Sequence, residues 1–206
     1  MKALIIVDIQ NDFLPGGALA VNNGDEVIPI INKLQQSDYF DLVVATQDWH
    51  PQNHKSFASN HPGKNPFDKI LLDGIQQVLW PDHCVQGTKG ADFPSSLDVK
   101  KIEAIFRKGM DVNVDSYSGF FDNGKRKNTG LDAYLKGRKV DEVYVSGLAG
   151  DFCVFYTALD SADCGFKTFF IEDATRSINQ NNFEGDVKKK LSEKNVRVIE
   201  SGLIVS

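Results

Sequence analysis

Six short apolar runs, each too brief for a helix and separated by stretches of helical period, constrain this chain more than any other feature. Residues 2–7 (KALIIV) form a continuous apolar run ending at Asp8, the pattern of a strand buried on both faces. Residues 25–36 follow with Ile28, Ile31 and Leu34 at helical spacing, and Pro29 falls in the first turns, where its missing N–H costs least. Strand-like runs recur at 42–45, 102–106, 142–146, 168–171 and 196–199. Helical patterns are read at 131–136, after the Gly147-Leu148-Ala149-Gly150 turn, and at 183–192. In the second of these Phe152, Phe155, Tyr156, Leu159 and Ala162 share one side. Strands alternating with helices predict an α/β fold with a mostly parallel central sheet and helices on both faces. The whole chain, 1–206, reads as one domain, without repeat or linker. Between 47 and 100 the periodicity fades into a Pro-, Gly-, Asn- and His-rich segment, with one apolar piece at 70–72; a loop of that length is usually functional.

Composition narrows the function classes. A formal charge of -5 with scattered Lys and Arg offers no stripe to track a phosphate backbone, which argues against nucleic acid. No run approaches the roughly 18 apolar residues of a membrane span, and residues 3–7 are too short for a signal peptide, so a cytoplasmic location is expected. Three cysteines at irregular spacing fit neither a disulfide framework nor a thiolate zinc site, leaving one as a candidate nucleophile.

In parallel sheets ligands sit beyond the carboxyl ends of the strands. The residues there are Asp8 and Gln10, Asp48 and His50, Lys108, and Cys153. Singly each has an ordinary reading: a helix cap, a solvated charge, a small buried residue. Together they place carboxylate, ammonium and thiol on one sheet edge. Cys153 follows a glycine turn at a helix start, where unpaired N–H groups favour a thiolate and offer an oxyanion hole. Cys84 and Cys164 read as structural. A second set, Asp48, His50, His54 and His83, has the carboxylate and imidazole donors that suit zinc, iron or manganese, although a bare DxH spacing is weak evidence.

The stretches Ile6-Val7-Asp8-Ile9-Gln10-Asn11-Asp12-Phe13, Gln47-Asp48-Trp49-His50-Pro51, Trp80-Pro81-Asp82-His83-Cys84, Phe106-Arg107-Lys108-Gly109, Asp115-Ser116-Tyr117-Ser118 and Gly147-Leu148-Ala149-Gly150-Asp151-Phe152-Cys153 occur in one order. In that order they resemble the nicotinamidase/pyrazinamidase branch of the isochorismatase-like cysteine hydrolases. The resemblance implies a three-layer sandwich that hydrolyses nicotinamide, and also pyrazinamide, through a thioester. It implies Asp8, Lys108 and Cys153 as the triad and the amides of Ala149 and Cys153 as the oxyanion hole, with a cis Leu148-Ala149 peptide. Phe13, Trp80 and Tyr117 would sandwich the substrate ring, and Asp48, His50 and His83 would ligate one divalent ion, zinc ahead of iron or manganese, with His54 as a candidate fourth ligand. A small-molecule substrate, no nucleic acid or membrane partner, and a monomer or small homo-oligomer are expected. One departure stands out: where the family commonly has Thr in the nucleophile turn, this chain has Gly150, which puts the turn's rigidity in question. Hydrolysis of another small amide or carbamoyl compound remains an alternative, as does a metal-dependent binding protein without turnover.

Overall fold

The computed structural model describes residues 1–205. Six strands, β1 (Lys2–Val7), β2 (Leu42–Asp48), β5 (Ala104–Lys108), β6 (Glu142–Leu148), β7 (Lys167–Arg176) and β8 (Arg197–Ile199), form one sheet. Its order is β5-β2-β1-β6-β7-β8, and every neighbouring pair is parallel. The antiparallel hairpin β3 (Lys69–Leu72) and β4 (Ile75–Val78) stands apart from it.

Alternation along β1 builds the layers. Leu4 and Ile6 pack with Ile28, Ile31 and Leu34 of α1 (Val27–Gln36) on one face. Ala3, Ile5 and Val7 pack on the other with Leu135 of α2 (Leu131–Gly137), Val154 and Ala158 of α3 (Cys153–Asp163) and Leu191 of α5 (Lys188–Glu193). This is the expected three-layer α/β sandwich. No helix among the described residues is long and apolar enough to cross a membrane.

The structure differs from the sequence reading in several places. The third sheet strand runs two residues later than 102–106, because β5 is an edge strand with Ile105 exposed, and pairing with β2 rather than apolarity sets its register. That register places Lys108 opposite Asp48. On α3 the face turned to the sheet carries Val154, Thr157, Ala158 and Ser161, whereas Tyr156, on the expected apolar side, is exposed. Residues 24–26 form a 3-10 turn ahead of α1, and 183–192 divides into a wide π turn, Phe183–Val187, that continues α4 (Gln180–Asn182) and leads into α5. The long segment after β2 holds the hairpin, whose second strand, IQQV, was too polar to show a strand period. Its turn does carry a sequence signal: Asp73 and Gly74 both have positive φ, 48° and 82°, as the Asp-Gly pair of a tight hairpin turn prefers.

Candidate active site

The sheet order brings four carboxyl ends side by side, those of β5, β2, β1 and β6, and the chain reverses its direction of winding between β1 and β6. Asp8 follows β1 and Cys153 opens α3 after β6, so carboxylate and thiol face each other at this switch point. Cys153 is the first residue of its helix, and its amide has no partner within the helix. Asp8 is held in the left-handed region at φ 49°, uncommon outside glycine and found where a site over-determines its backbone.

Lys108 lies at the centre. Its Nζ is 2.8 Å from Asp8 Oδ2, 2.5 Å from Asp48 Oδ1, 2.9 Å from Ser116 O and 3.4 Å from Cys153 Sγ. A buried ammonium is tolerable only when paired in this way. Burial works against its charge, but Asp48 and Asp8 hold Lys108 well above its ordinary pKa. Burial pushes the Asp8 carboxyl up to about 6, against the pull of Lys108 and of Thr46, whose hydroxyl donates to Asp8 Oδ1 at 2.6 Å. Burial likewise pushes the Cys153 thiol well up; Lys108 opposes this, and Asp8 and Asp48 add to it. At the helix start the free N–H groups and Lys108 favour the thiolate, whereas burial beside two carboxylates favours the thiol.

Asp48 divides its two oxygens. Oδ1 faces Lys108, while Oδ2 lies 3.6 Å from His50 Nε2 and 3.9 Å from His83 Nε2. Each imidazole spends its other nitrogen on a backbone carbonyl, His50 Nδ1 on Gly109 O and His83 Nδ1 on Pro81 O, both at 2.8 Å. That leaves two Nε2 atoms aimed at one carboxylate oxygen, the arrangement by which a second shell orients metal-ligating histidines. Gly109 permits it, since a Cβ there would stand 2.3 Å from His50 Cε1. Burial lowers His83 to about 4. Burial would raise Asp48, but Lys108 and His50 hold it well below the usual carboxylate range. A charged carboxylate and a neutral His83 are the forms a divalent ion requires, and Asp48, His50 and His83 offer ligand atoms within 4.8 Å of one another.

His54 lies on the other side of His50, ring centroids 4.6 Å apart, grouped with His50 and Asp115 rather than with Asp48 and His83. Its Nδ1 is 2.7 Å from Ser56 Oγ, and its buried Nε2 has no partner. Phe13, Trp80 and Tyr117 line a narrow cleft ending at Ala149 and Cys153, with Asp48 and His83 along one side. The Leu148–Ala149 peptide is cis, as the resemblance implies. Gln10 clamps the end of β2: its amide donates to Asp48 O at 2.8 Å and accepts from Asp48 N at 2.9 Å. Cys84 is fully buried and Cys164 closes α3, in keeping with structural roles.

Sequence reasoning assigned no site role to Phe152, Ile178, Leu19 and Asp115, which complete the cleft, or to Thr46. Asp115 heads the Asp115-Ser116-Tyr117-Ser118 stretch and Phe152 adjoins the nucleophile, so proximity was their only signal. The departure at Gly150 is resolved by the fold. A Cβ at Gly150 would lie 2.6 Å from Ser177 Oγ and 2.7 Å from Thr175 Cγ2, so the end of β7 fills the space a side chain would take. The turn is pinned there, with Gly150 N donating to Arg176 O at 2.8 Å and Asp151 accepting from the amides of Ile178 and Asn179, each at 2.9 Å.

Known proteins resemble this chain in sequence and in fold. The isochorismatase domain pattern matches residues 2–201. The nicotinamidase of Acinetobacter baylyi is 52% identical over an alignment covering 87% of this chain and 83% of that protein. Among solved structures, the nicotinamidase/pyrazinamidase of Acinetobacter baumanii superposes with a TM-score of 0.95 at 48% identity, covering 99% and 98% of the two chains. The yeast nicotinamidase bound to the inhibitor nicotinaldehyde gives 0.93 at 36% identity, covering 97% and 100%. The pyrazinamidase of Pyrococcus horikoshii in complex with zinc gives 0.79 at 34%, covering 97% and 98%.

Proposed function

The chain belongs to the isochorismatase family and is an amidohydrolase converting nicotinamide to nicotinate, and we propose that it does so through a thioester on Cys153 with Asp8 as the proton carrier. The observation that supports this most directly is the position of Lys108 Nζ, 2.8 Å from the Asp8 carboxylate and 3.4 Å from Cys153 Sγ.

Asp8 takes the thiol proton as sulfur attacks the carboxamide carbon, and Lys108 stabilises both anions as the charge shifts between them. The amides of Ala149 and Cys153 stabilise the oxyanion, each such donor being worth roughly 3 kcal/mol. As the carbon–nitrogen bond breaks, Asp8 returns the proton to nitrogen and ammonia leaves. Asp8 then takes a proton from water as it adds to the thioester, and passes it to the departing Cys153 sulfur. Phe13, Trp80 and Tyr117 flank the ring, and pyrazinamide, of the same flat shape, is a second substrate on this reading.

Asp48, His50 and His83 would hold one divalent ion, zinc ahead of iron or manganese, whose contribution is a Lewis-acid contact that orients the ring through its nitrogen. His54, with its unpartnered Nε2, is the candidate fourth ligand. The same reading makes residues 1–206 one domain acting on a small molecule in the cytoplasm, as a monomer or small homo-oligomer, with neither nucleic acid nor membrane as partner.

The test is ammonia release from nicotinamide by reduced, metal-loaded protein, beside Cys153→Ala. Release that disappears in Cys153→Ala while the metal content stays at the wild-type level is expected. Undiminished kcat in that variant would eliminate the thioester route.

A further inference from the structure

The β3–β4 hairpin takes no part in the main sheet, and much of it faces outward, Leu71 being 74% exposed. Gln77 is its exception. It is buried at 2% exposure, and its amide nitrogen donates to Val78 O at 2.7 Å, Asp115 Oδ2 at 2.9 Å and the Tyr117 hydroxyl at 3.2 Å. Burying an amide costs free energy that its hydrogen bonds must offset. Both side-chain acceptors are walls of the cleft that ends at Cys153. Asp115 stands beside His50 and His54, and Tyr117 contributes one of the aromatic rings.

Aromatic packing surrounds Tyr117 only in part, its ring meeting Phe152 at 5.4 Å and Tyr156 at 5.5 Å between centroids. A side cavity of about 200 Å³, shared with Tyr156, Gln76 and Lys125, also borders Tyr117, so there is room for the ring to swing away from the cleft. What holds the hydroxyl therefore sets the ring's position, and the side chain that hydrogen-bonds it is Gln77.

We propose that Gln77 is a positioning residue for the substrate ring: it ties Tyr117 to Asp115 and so presets the slot into which the flat aromatic amide slides. This rests on the hydrolase reading above. The hairpin has a second tie, Arg126 to the Asp73 carboxylate and, at 3.0 Å, to Asp73 O, but that one lies outside at the turn and touches no cleft residue. Releasing it loosens the hairpin without freeing Tyr117, which makes it the control for general destabilisation.

The experiment compares nicotinamide kinetics of metal-loaded, reduced wild type, Gln77→Met, Tyr117→Phe, the double variant and Arg126→Ala, together with the rate of Cys153 alkylation by iodoacetamide. Gln77→Met keeps the side chain's length and removes only its amide. It should raise KM about tenfold and leave kcat within about twofold, as expected when binding rather than chemistry is lost. Alkylation should proceed at the wild-type rate, Arg126→Ala should match wild type, and the double variant should be no worse than Gln77→Met, since both changes cut one link. Should Gln77→Met fail to fold, Gln77→Asn, whose amide falls one methylene short, carries the same expectation. An unchanged KM, an equal rise in Arg126→Ala, or additive effects in the double variant would each overturn the positioning role. A wild type that released no ammonia would instead remove the hydrolase reading beneath it.

Discussion

Adding one methyl group at Gly150 should cost this protein both stability and turnover. The new Cβ would meet Thr175 Cγ2 at 2.7 Å and Ser177 Oγ at 2.6 Å. Carbon atoms prefer about 3.5–4.0 Å, so Thr175 must yield by roughly 1 Å. Ser177 can rotate its hydroxyl aside, but Thr175 has less freedom because its Oγ1 donates to Ile171 O at 2.8 Å, and turning the methyl away breaks that bond. Overpacking of this kind costs about 1–3 kcal/mol. At about 2–4 °C per kcal/mol for a chain of this length, a 2 kcal/mol penalty lowers Tm by roughly 4–8 °C. The alternative to moving β7 is moving the turn, which carries Ala149 and Cys153. Misplacing reacting groups by about 1 Å can cost a hundredfold, so kcat should fall at least about tenfold. Calorimetric melting and steady-state kinetics on the same Gly150→Ala preparation measure both quantities. Thr175→Ser removes the opposing methyl and keeps the hydroxyl, so the pair Gly150→Ala/Thr175→Ser should recover part of each loss. A Gly150→Ala protein with wild-type Tm and kcat would refute the claim that β7 fills the space beside the turn.

The remaining tests concern charge and metal. Asp8, pushed up to about 6, must be ionised to accept the thiol proton; kcat/KM should therefore be sustained above that pH and fall about tenfold per unit below it, as its pH profile would reveal. Thr46→Val removes a hydroxyl that stabilises the carboxylate, so the acid limb should move to higher pH; an unmoved limb would show that another group controls it. Chelation, or His50→Ala, should strip the ion and raise KM, with metal analysis and kinetics read together; full affinity for nicotinamide in metal-free protein would contradict the orienting role.

Much of the site was legible because the rule that ligands sit at strand ends converts sequence position into spatial position. Asp8, Asp48, Lys108 and Cys153 lie far apart in the chain, yet each follows or ends an apolar run, and parallel pairing carries all four to one edge. The limits are equally physical. Tyr144 and Phe170 could be placed as buried from local apolarity, whereas edge strand β5 could not be bounded, because only its register with β2 fixes where it starts. Gln77 was invisible for a related reason. In IQQV one glutamine is exposed and the other is buried, and only the loop that returns forty residues later with Tyr117 distinguishes them. The Gly150 departure pointed toward looseness in the sequence; the compensating residues, Thr175 and Ser177, sit on a different strand end, where no local pattern could reveal them.

The division of Asp48 between Lys108 and the two histidines has a consequence for electroneutrality. With Asp8 and Asp48 ionised and Lys108 protonated, these three groups carry one uncompensated negative charge, which a divalent cation offsets. Acquiring the ion is thus electrostatically coupled to the state of the nucleophile's partners, although ion and sulfur have separate tasks. Two substitutions that both impair the enzyme, one through KM and one through the chemistry, should then leave opposite signatures. Losing a histidine removes a donor and empties the ion site, whereas neutralising Lys108 leaves the donors in place amid more negative charge and strengthens their hold on the cation. Impaired variants of this protein would divide into metal-poor and metal-retentive kinds, a distinction that elemental analysis detects directly.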